Sequence, residues 1–438
     1  MVDTQASTPT AEYIVPDNQF IADVLRLSGE SARKCFQCGT CTVSCNVSYA
    51  KERDESFPRQ QILRTQWGLK GKVLNDPAIW ACYQCNDCSA NCPRGAKAGD
   101  VLAALRALAI REYAVPRFMG KLYNEPRYLP LIFGIPAVVL LALVFLFQGM
   151  VFPDGPIVYK HFIPSIYVEI AGVIVGGLVV LAAGLGLFRY WGDVQMTSAL
   201  QPALGAVLQG PGSMAASAAA GQSLESAFIG TMGDVGTHKD FWTCQAERLR
   251  PFGHLAVFYG FPLLLVATAI SLLYTFTGII PQERPLTDPM KIAGNIGGVL
   301  ALIGILVLMY NRLQTKTGAW GKANYFDWLL LWLLLLNVGT GLLMEIVRLA
   351  NQPTLAYSLY MAHLVFVFSL FFYLPYGKLA HLYYRIAALT VIRQGGKEGP
   401  GKLVILLPAG AAVFIGAAAA FVGVVFVLIW AIQAALGG

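Results

Sequence analysis

The sequence predicts an all-α chain in two parts: a small helical head bearing two cysteine arrays, and a transmembrane helix bundle of about six or seven spans. Three observations predict it. Eight of the nine cysteines fall into two arrays of identical spacing before residue 93. Beyond residue 128 the chain becomes a series of apolar segments, each long enough to supply the ~20 residues that cross ~30 Å of hydrocarbon. Charged residues make up only 13% of the chain, against about 25% in soluble proteins. Composition accordingly divides the 438 residues into a tail at 1–19, a head at 20–115, an interfacial linker at 116–128 and a membrane domain at 129–438 with a long loop at 191–250.

The tail contains Pro9 and Pro16 and lacks the apolar stretch of a secretory leader. From Asn18 to Glu30, the spacing of Phe20, Ile21, Val24, Leu25 and Leu27 predicts an amphipathic helix. The first array follows: Cys35-Phe-Gln-Cys38-Gly-Thr-Cys41-Thr-Val-Ser-Cys45. A second helix is predicted from Phe57-Pro58, with proline tolerated in its first turn, and a third start at Asp76-Pro77 leads into Cys82. The second array reads Cys82-Tyr-Gln-Cys85-Asn-Asp-Cys88-Ser-Ala-Asn-Cys92-Pro93. Residues 98–113 then show a helical stripe of Val101, Leu102, Leu105, Leu108 and Ile110.

Each array is C-x2-C-x2-C-x3-C, the run that holds two [4Fe–4S] cubes in bacterial-type ferredoxins. Three close thiolates wrap one cube, and the fourth reaches the neighbouring one. The expected sets are therefore crossed: Cys35, Cys38, Cys41 and Cys92 for one cluster; Cys82, Cys85, Cys88 and Cys45 for the other. Structural zinc usually takes two C-x2-C pairs instead of triplets, and disulfides do not suit the reducing side where such clusters are assembled. Cys244 is left without a role.

Residues 114–128 mix bases with aromatics, as at a membrane interface. Spans are predicted at 129–152, 165–189, 253–277, 292–311, 326–349, 357–381 and 403–434. Glycines 294, 297, 298 and 304 weaken the fourth as a helix but suit close helix packing. Arg189, Lys239, Arg248, Arg250, Arg312, Lys316, Lys322, Arg385, Arg393, Lys397 and Lys402 fall on the head's side, while the other side has mainly Lys160, Arg284, Lys291 and Arg348. By the positive-inside rule the chain is expected to be a multi-pass protein of the cytoplasmic membrane with its head in the cytoplasm. The net charge of +7 thus reads as membrane topology, not nucleic-acid binding. The loop at 191–250, rich in Ala, Gly and Ser around 210–221, reads as a flexible connector, with a docking element for partner subunits as the alternative.

Five histidines remain to be placed. His363 and His381 are 18 residues apart in one predicted span; on a continuous helix they share a face about 27 Å apart, subject to any kink at Pro375. Histidine inside a bilayer is a functional candidate by default. His254 sits at the depth of His381, so the pair would hold an inner haem b; His161 is the partner at the depth of His363 for an outer one. The plainer alternative is a hydrogen bond to a neighbouring helix. His238, beside Lys239 and Asp240, reads as a surface residue. Glu169, Glu345 and Arg348 near the outer ends of spans are candidate proton-handling groups for a quinone, with ordinary interfacial charge as the alternative.

At these residues the chain resembles two families in series. Residues of about 20–115 resemble the two-cluster C subunit of heterodisulfide reductases. Residues of about 165–385 resemble cytochrome b membrane subunits typified by the gamma subunit of respiratory nitrate reductase, on the histidine spacing and the stretch Leu374-Pro-Tyr-Gly-Lys-Leu-Ala-His381. The fusion is similar to the C subunits of quinone-interacting membrane-bound oxidoreductase complexes. Two positions depart from these patterns. Leu264 stands where the nitrate reductase family has a second histidine, and Asn46 follows the first array where proline is usual. The Cys-Cys-Gly repeats of disulfide-cleaving subunits do not occur, so the chain is not expected to cleave a disulfide itself.

The resemblance implies an electron-transfer subunit with two [4Fe–4S] clusters and one or two haems b. It would link menaquinone in the membrane lipid to cytoplasmic flavoproteins like the A subunit of heterodisulfide reductase, with adenylylsulfate reductase of sulfate reduction as the ultimate partner. The alternatives are a structural anchor for cytoplasmic redox enzymes, or the membrane subunit of a menaquinol–thiol reductase. A transporter is disfavoured by the scarcity of charges at mid-membrane.

Overall fold

A computed structural model describes residues 15–46, 57–148, 151–209, 223–277, 285–314 and 325–394. Among them the chain is helical throughout, with no strand. In the head, α1 (Asn18–Ser28) is capped by the Asp17 carboxylate, which accepts from the Phe20 N–H at 2.8 Å. Helices α2 (Arg59–Gln66) and α3 (Lys70–Leu74) follow the first array, and the single turn Ala78–Ala81 leads into the second. Helix α4 (Ala98–Tyr113) is the axis of the head: Val101, Leu102, Leu105, Leu108 and Ile110 are all buried, as their helical spacing requires.

A short amphipathic helix α5 (Arg117–Asn124) takes up the interfacial stretch. Among the described residues six helices are long and apolar enough to cross a membrane, with candidate spans at Pro126–Leu146, Ile166–Val194, Arg250–Thr275, Pro289–Leu313, Tyr325–Leu349 and Pro353–Tyr373. They lie in α6 (Leu129–Gln148), α7 (Ser165–Gln209), α9 (Arg250–Thr277), α10 (Pro289–Leu313), α11 (Tyr325–Leu349) and α12 (Pro353–Tyr373), with α8 (Leu224–Thr237) between α7 and α9. The expected seventh span at 403–434 lies outside the described residues.

The glycines that weakened the fourth span on propensity grounds are what pack it. A Cβ at Gly260 on α9 would stand 2.8 Å from the Gly297 carbonyl of α10, and one at Gly304 2.6 Å from the Gly253 carbonyl. Without side chains at these levels the two backbones come into direct contact, the small-residue packing available to membrane helices.

Two expectations are corrected. His363 and His381 do not share a helix. Pro375 has no N–H to continue the ladder, so α12 ends at Tyr373 and α13 (His381–Arg393) starts afresh at the second histidine. The Tyr373 hydroxyl closes the turn between them, accepting from the Lys378 N–H at 2.8 Å. Nor is 191–250 a plain connector. Residues 198–209 contain enough Ala and Leu to carry α7 on to Gln209. Helix α8 packs on α13 through the Arg393–Asp234 pair, and residues 239–250 fold onto the head. The Ala/Gly/Ser-rich centre at 210–222 lies outside the described residues.

Head and membrane helices share one apolar core. Trp80 stacks on Tyr384 of α13 (5.2 Å between centroids), and Tyr113 of α4 meets Tyr190 of α7 edge-on at 5.2 Å. Tyr190 meets Tyr384 edge-on at 5.3 Å. Such pairs contribute about 0.5–1.5 kcal/mol each beyond their buried area, so this knot holds the arrays firmly against the helix ends.

Candidate metal centre and its path to the membrane

Both arrays fold alike. Gln37 and Gln84, each third in its array, have left-handed φ of 59° and 55°, and Gly39 and Asn86, each just after the second cysteine, have 86° and 62°. These are residue types that reach this region at low cost, the glutamines excepted. The turns aim nitrogen donors at sulfur: Gln37 Nε2 lies 3.4 Å from Cys35 Sγ, and the Gln84 N–H 3.2 Å from Cys82 Sγ. A single helical turn follows each, Thr40–Val43 and Asp87–Ala90, presenting the third cysteine.

The structure gathers the eight array cysteines around two cavities. Cys35, Cys38, Cys41 and Cys92 line one; Cys82, Cys85, Cys88 and Cys45 line the other. The last cysteine of each array thus stands with the first three of the opposite array. The thiols are electrostatically frustrated. Burial, then Cys82 and Cys85, pushes the Cys88 thiol well up; burial, then Cys35, raises Cys41. A hydrogen bond with Thr40 lowers Cys38. Crowded thiols that oppose one another's ionisation are a donor set suited to a cationic iron–sulfur core, which would relieve that repulsion.

The two cavities differ in surroundings. Beside the first, Cys38 is exposed, as are Phe36 and Val43 (67% and 85%); this is the distal site. The other, proximal, site is sealed by residues 243–250. Asp87 accepts from the Gln245 and Ala246 N–H groups (3.2 and 2.7 Å), and Asn86 donates to Glu247 at 2.6 Å. Arg250 donates to the Gln84 carbonyl, and Asn46 to that of Thr243 at 3.3 Å. Cys244, unassigned by spacing, lies buried with its thiol hydrogen-bonded to Cys85; that bond and burial push it up.

Rings lead from the proximal site toward the membrane. Tyr83, inside the array, stacks on Phe241 at 5.6 Å, and Phe241 meets His254 edge-on at 5.3 Å. His238 is not a surface residue: it closes α8 in left-handed conformation, and its ring packs 5.1 Å from His254 and 4.7 Å from Phe258. Only the tertiary fold brings it there; the polar neighbours in its sequence point the other way.

His254, at the start of α9, and His381, at the start of α13, lie within electrostatic range of each other. His381 Nδ1 is 2.5 Å from the Lys378 carbonyl, which takes the Nδ1 proton and leaves Nε2 for a ligand. Burial holds the His381 imidazole neutral, down to about 3. Imidazoles from two helices, one with its tautomer fixed by a carbonyl, are the donor type that would hold a haem. The outer candidates stand in different surroundings. His363 is bonded to Thr340 Oγ1 (3.1 Å) and packs on Gly341, the helix-to-helix contact that was its plainer alternative. His161 is exposed, in the turn Tyr159–Phe162.

Glu345 sits in a buried triad with Lys291 and Arg348 (2.8 Å to the latter), and Glu169 accepts from Thr275 at 2.6 Å. A second buried triad escaped sequence reasoning: Asp327 binds Arg312 at 2.5 Å and also Lys378, three residues before His381.

Residues 31–96 match a family described as a 4Fe-4S dicluster domain. The head is 39% identical over 104 residues to the C subunit of the H(2):CoB-CoM heterodisulfide,ferredoxin reductase of Methanothermobacter thermautotrophicus, covering 24% of this chain and 52% of that one. It is 34% identical over 96 residues to an Archaeoglobus profundus protein described as like the C subunit of heterodisulfide reductase (22% and 50%). It is 39% identical over 83 residues to the iron-sulfur C subunit of the CoB--CoM heterodisulfide reductase of Methanopyrus kandleri (19% and 41%). The chain thus spans about half the length of the curated relatives it matches. No solved structure matches it. Residues 135–402, more than half of the chain, match the family described as citrate utilization protein B. By that match the chain belongs to the citrate utilization protein B family, with a 4Fe-4S dicluster head, similar to the C subunit of heterodisulfide reductases, joined to its membrane helices.

Proposed function

We propose that the chain is the membrane electron-relay subunit of a redox complex, linking a quinone pool to cytoplasmic flavoprotein partners through two [4Fe–4S] clusters and a haem b. The observation that carries this reading is the ring series Tyr83–Phe241–His254, which joins the sealed thiol set to the inner histidine pair. Cys82, Cys85, Cys88 and Cys45 hold the proximal cluster beside the membrane; Cys35, Cys38, Cys41 and Cys92 hold the distal one at the exposed end, where a partner has access. His254 and His381 hold the haem, which when bound supplies one-electron carriage within the bilayer. Residues 243–250 exclude water from the proximal thiols. The clustering of Arg250, Arg312, Lys378 and Arg385 near the head supports a cytoplasmic head.

Menaquinone is the proposed quinone, with Glu169, Glu345 and Arg348 as its candidate proton-handling groups and His161 and His363 as ligands of an outer haem. The proposed partner is a flavoprotein like the A subunit of heterodisulfide reductase, with adenylylsulfate reductase beyond it; the likeness of the head to heterodisulfide reductase C subunits supports association with other subunits of that type. A second reading takes the partner from the membrane family, whose name points to citrate utilization. Copurification of the full chain with its neighbours separates the two. Haem content by pyridine haemochrome tests the relay: one haem b per chain, lost in His254→Ala and His381→Ala, is expected. A haem-free chain with intact clusters would leave only a structural anchor. Two haems, one lost in His363→Ala and His161→Ala, would establish the outer site.

A further inference from the structure

Between the proximal thiols and the inner histidines lies an excess of buried positive charge. Arg106 of α4 donates Nη1 to the Cys82 carbonyl at 3.0 Å. Arg385 of α13 donates Nη1 to the Trp80 and Cys82 carbonyls at 2.6 and 3.1 Å. These contacts use one nitrogen of each fork. The second nitrogen, Nη2, is in both cases shut off from solvent and without a partner.

A guanidinium cannot shed its charge to relieve such burial, so an unanswered Nη2 is costly. Cys82 and Asp327 act on the Arg106 charge and the Arg385 guanidinium lies 4.2 Å over the Tyr83 ring, but none of these accepts a hydrogen bond from Nη2. Arg106, Arg385 and Lys378 all act on His381, and Arg250 and Arg385 on His254. The carboxylates nearby are engaged elsewhere: Glu247 with Arg250 and Asn86, and Asp327 with Arg312 and Lys378. Asp87 is taken by the N–H groups of Gln245 and Ala246. The site therefore offers two fixed, desolvated donors within electrostatic range of His381, with no acceptor bonded to either.

We propose that Arg106 and Arg385 give their free Nη2 groups to the propionate carboxylates of the porphyrin held by His254 and His381. The inference rests on the inner-haem reading above. It makes both arginines positioning residues that serve two centres: Nη1 fixes the backbone entering the proximal array, and Nη2 orients the porphyrin toward it. Forked donors suit carboxylates, and a single ammonium replaces them poorly.

The test is a redox titration of the purified full chain, following haem by absorbance and clusters by electron paramagnetic resonance. Removing a cation beside the haem favours its oxidised form. Arg385→Gln and Arg106→Gln should each lower the haem midpoint by the equivalent of about tenfold in the equilibrium constant, ~59 mV for one electron. Arg385→Lys, which keeps the charge and guards against misfolding, should shift it less. A shift confined to the proximal cluster, with the haem midpoint unmoved, would overturn the proposal and leave the arginines to the thiol site alone. A wild-type chain without haem would overturn the underlying reading and the proposal with it; haem present with unmoved potentials would overturn the proposal only.

Discussion

Cys45 and Cys92 are the residues on which the head's geometry turns, since each leaves its own array to complete the opposite cavity. Replacing either should therefore mimic damage to the other array. Cys45→Ser and Cys82→Ser should lose the same cluster signal, and Cys92→Ser and Cys35→Ser the other, each with about half of the iron of the wild type. Pairing by array instead, Cys45 with Cys35, would contradict the crossed arrangement. The eight array cysteines were legible in the sequence because cluster ligation is local chemistry written in spacing. Cys244, Glu247 and His238 were not, because they reach the site from the far side of α7. Asn86 and Glu247, for example, are bonded across 161 positions of the chain. No spacing rule reports a contact of that range.

At the scale of elements, the membrane helices owe their arrangement to small residues and buried ions. Gly304→Val would drive a side chain into the Gly253 carbonyl of α9. Overpacking of this kind costs about 1–3 kcal/mol, readable as a lowered midpoint of thermal unfolding in detergent; an unchanged midpoint would mean the helices can part freely. The Asp327 triad makes a stronger demand. Asp327→Asn leaves Lys378 and Arg312 buried without their counter-charge, a loss of about 3–5 kcal/mol. Because Lys378 also supplies the carbonyl on His381 Nδ1, the same variant should perturb haem absorbance, which a purely structural triad remote from the histidine would leave alone. Helix existence was legible from apolar length at all six described spans, but the end of α12 was not. Pro375 allows either a kink or a stop, and the choice depends on Tyr373 capping the turn through its hydroxyl, a tertiary fact. The long α7 was missed for the converse reason: Pro202 and Gly205 in its extension read as helix breakers, yet the Ala and Leu residues around them are good helix formers.

For the whole molecule, head and membrane bundle act as one body. Trp80, Tyr113, Tyr190 and Tyr384 form their common core, and Arg385 ties the backbone of the second array to α13. The proximal site is thereby held against the helix ends and the distal site faces outward, an order suited to conduction through the head. Phe241 is the ring between Tyr83 and His254; Phe241→Ala should slow transfer along this path while leaving both clusters and their iron content intact. The measurement that bears most directly on the relay is cluster oxidation by quinone. The full chain is placed in lipid nanodiscs containing menaquinone after anaerobic reduction of its clusters, and loss of the reduced-cluster resonance is followed by freeze-quench. Rapid oxidation in the wild type, slowed at least about tenfold (about 1.4 kcal/mol in barrier) in His254→Ala, is the expected result. Equal rates in the two proteins, or no oxidation in either, would contradict a path from the head through the inner histidines to the membrane.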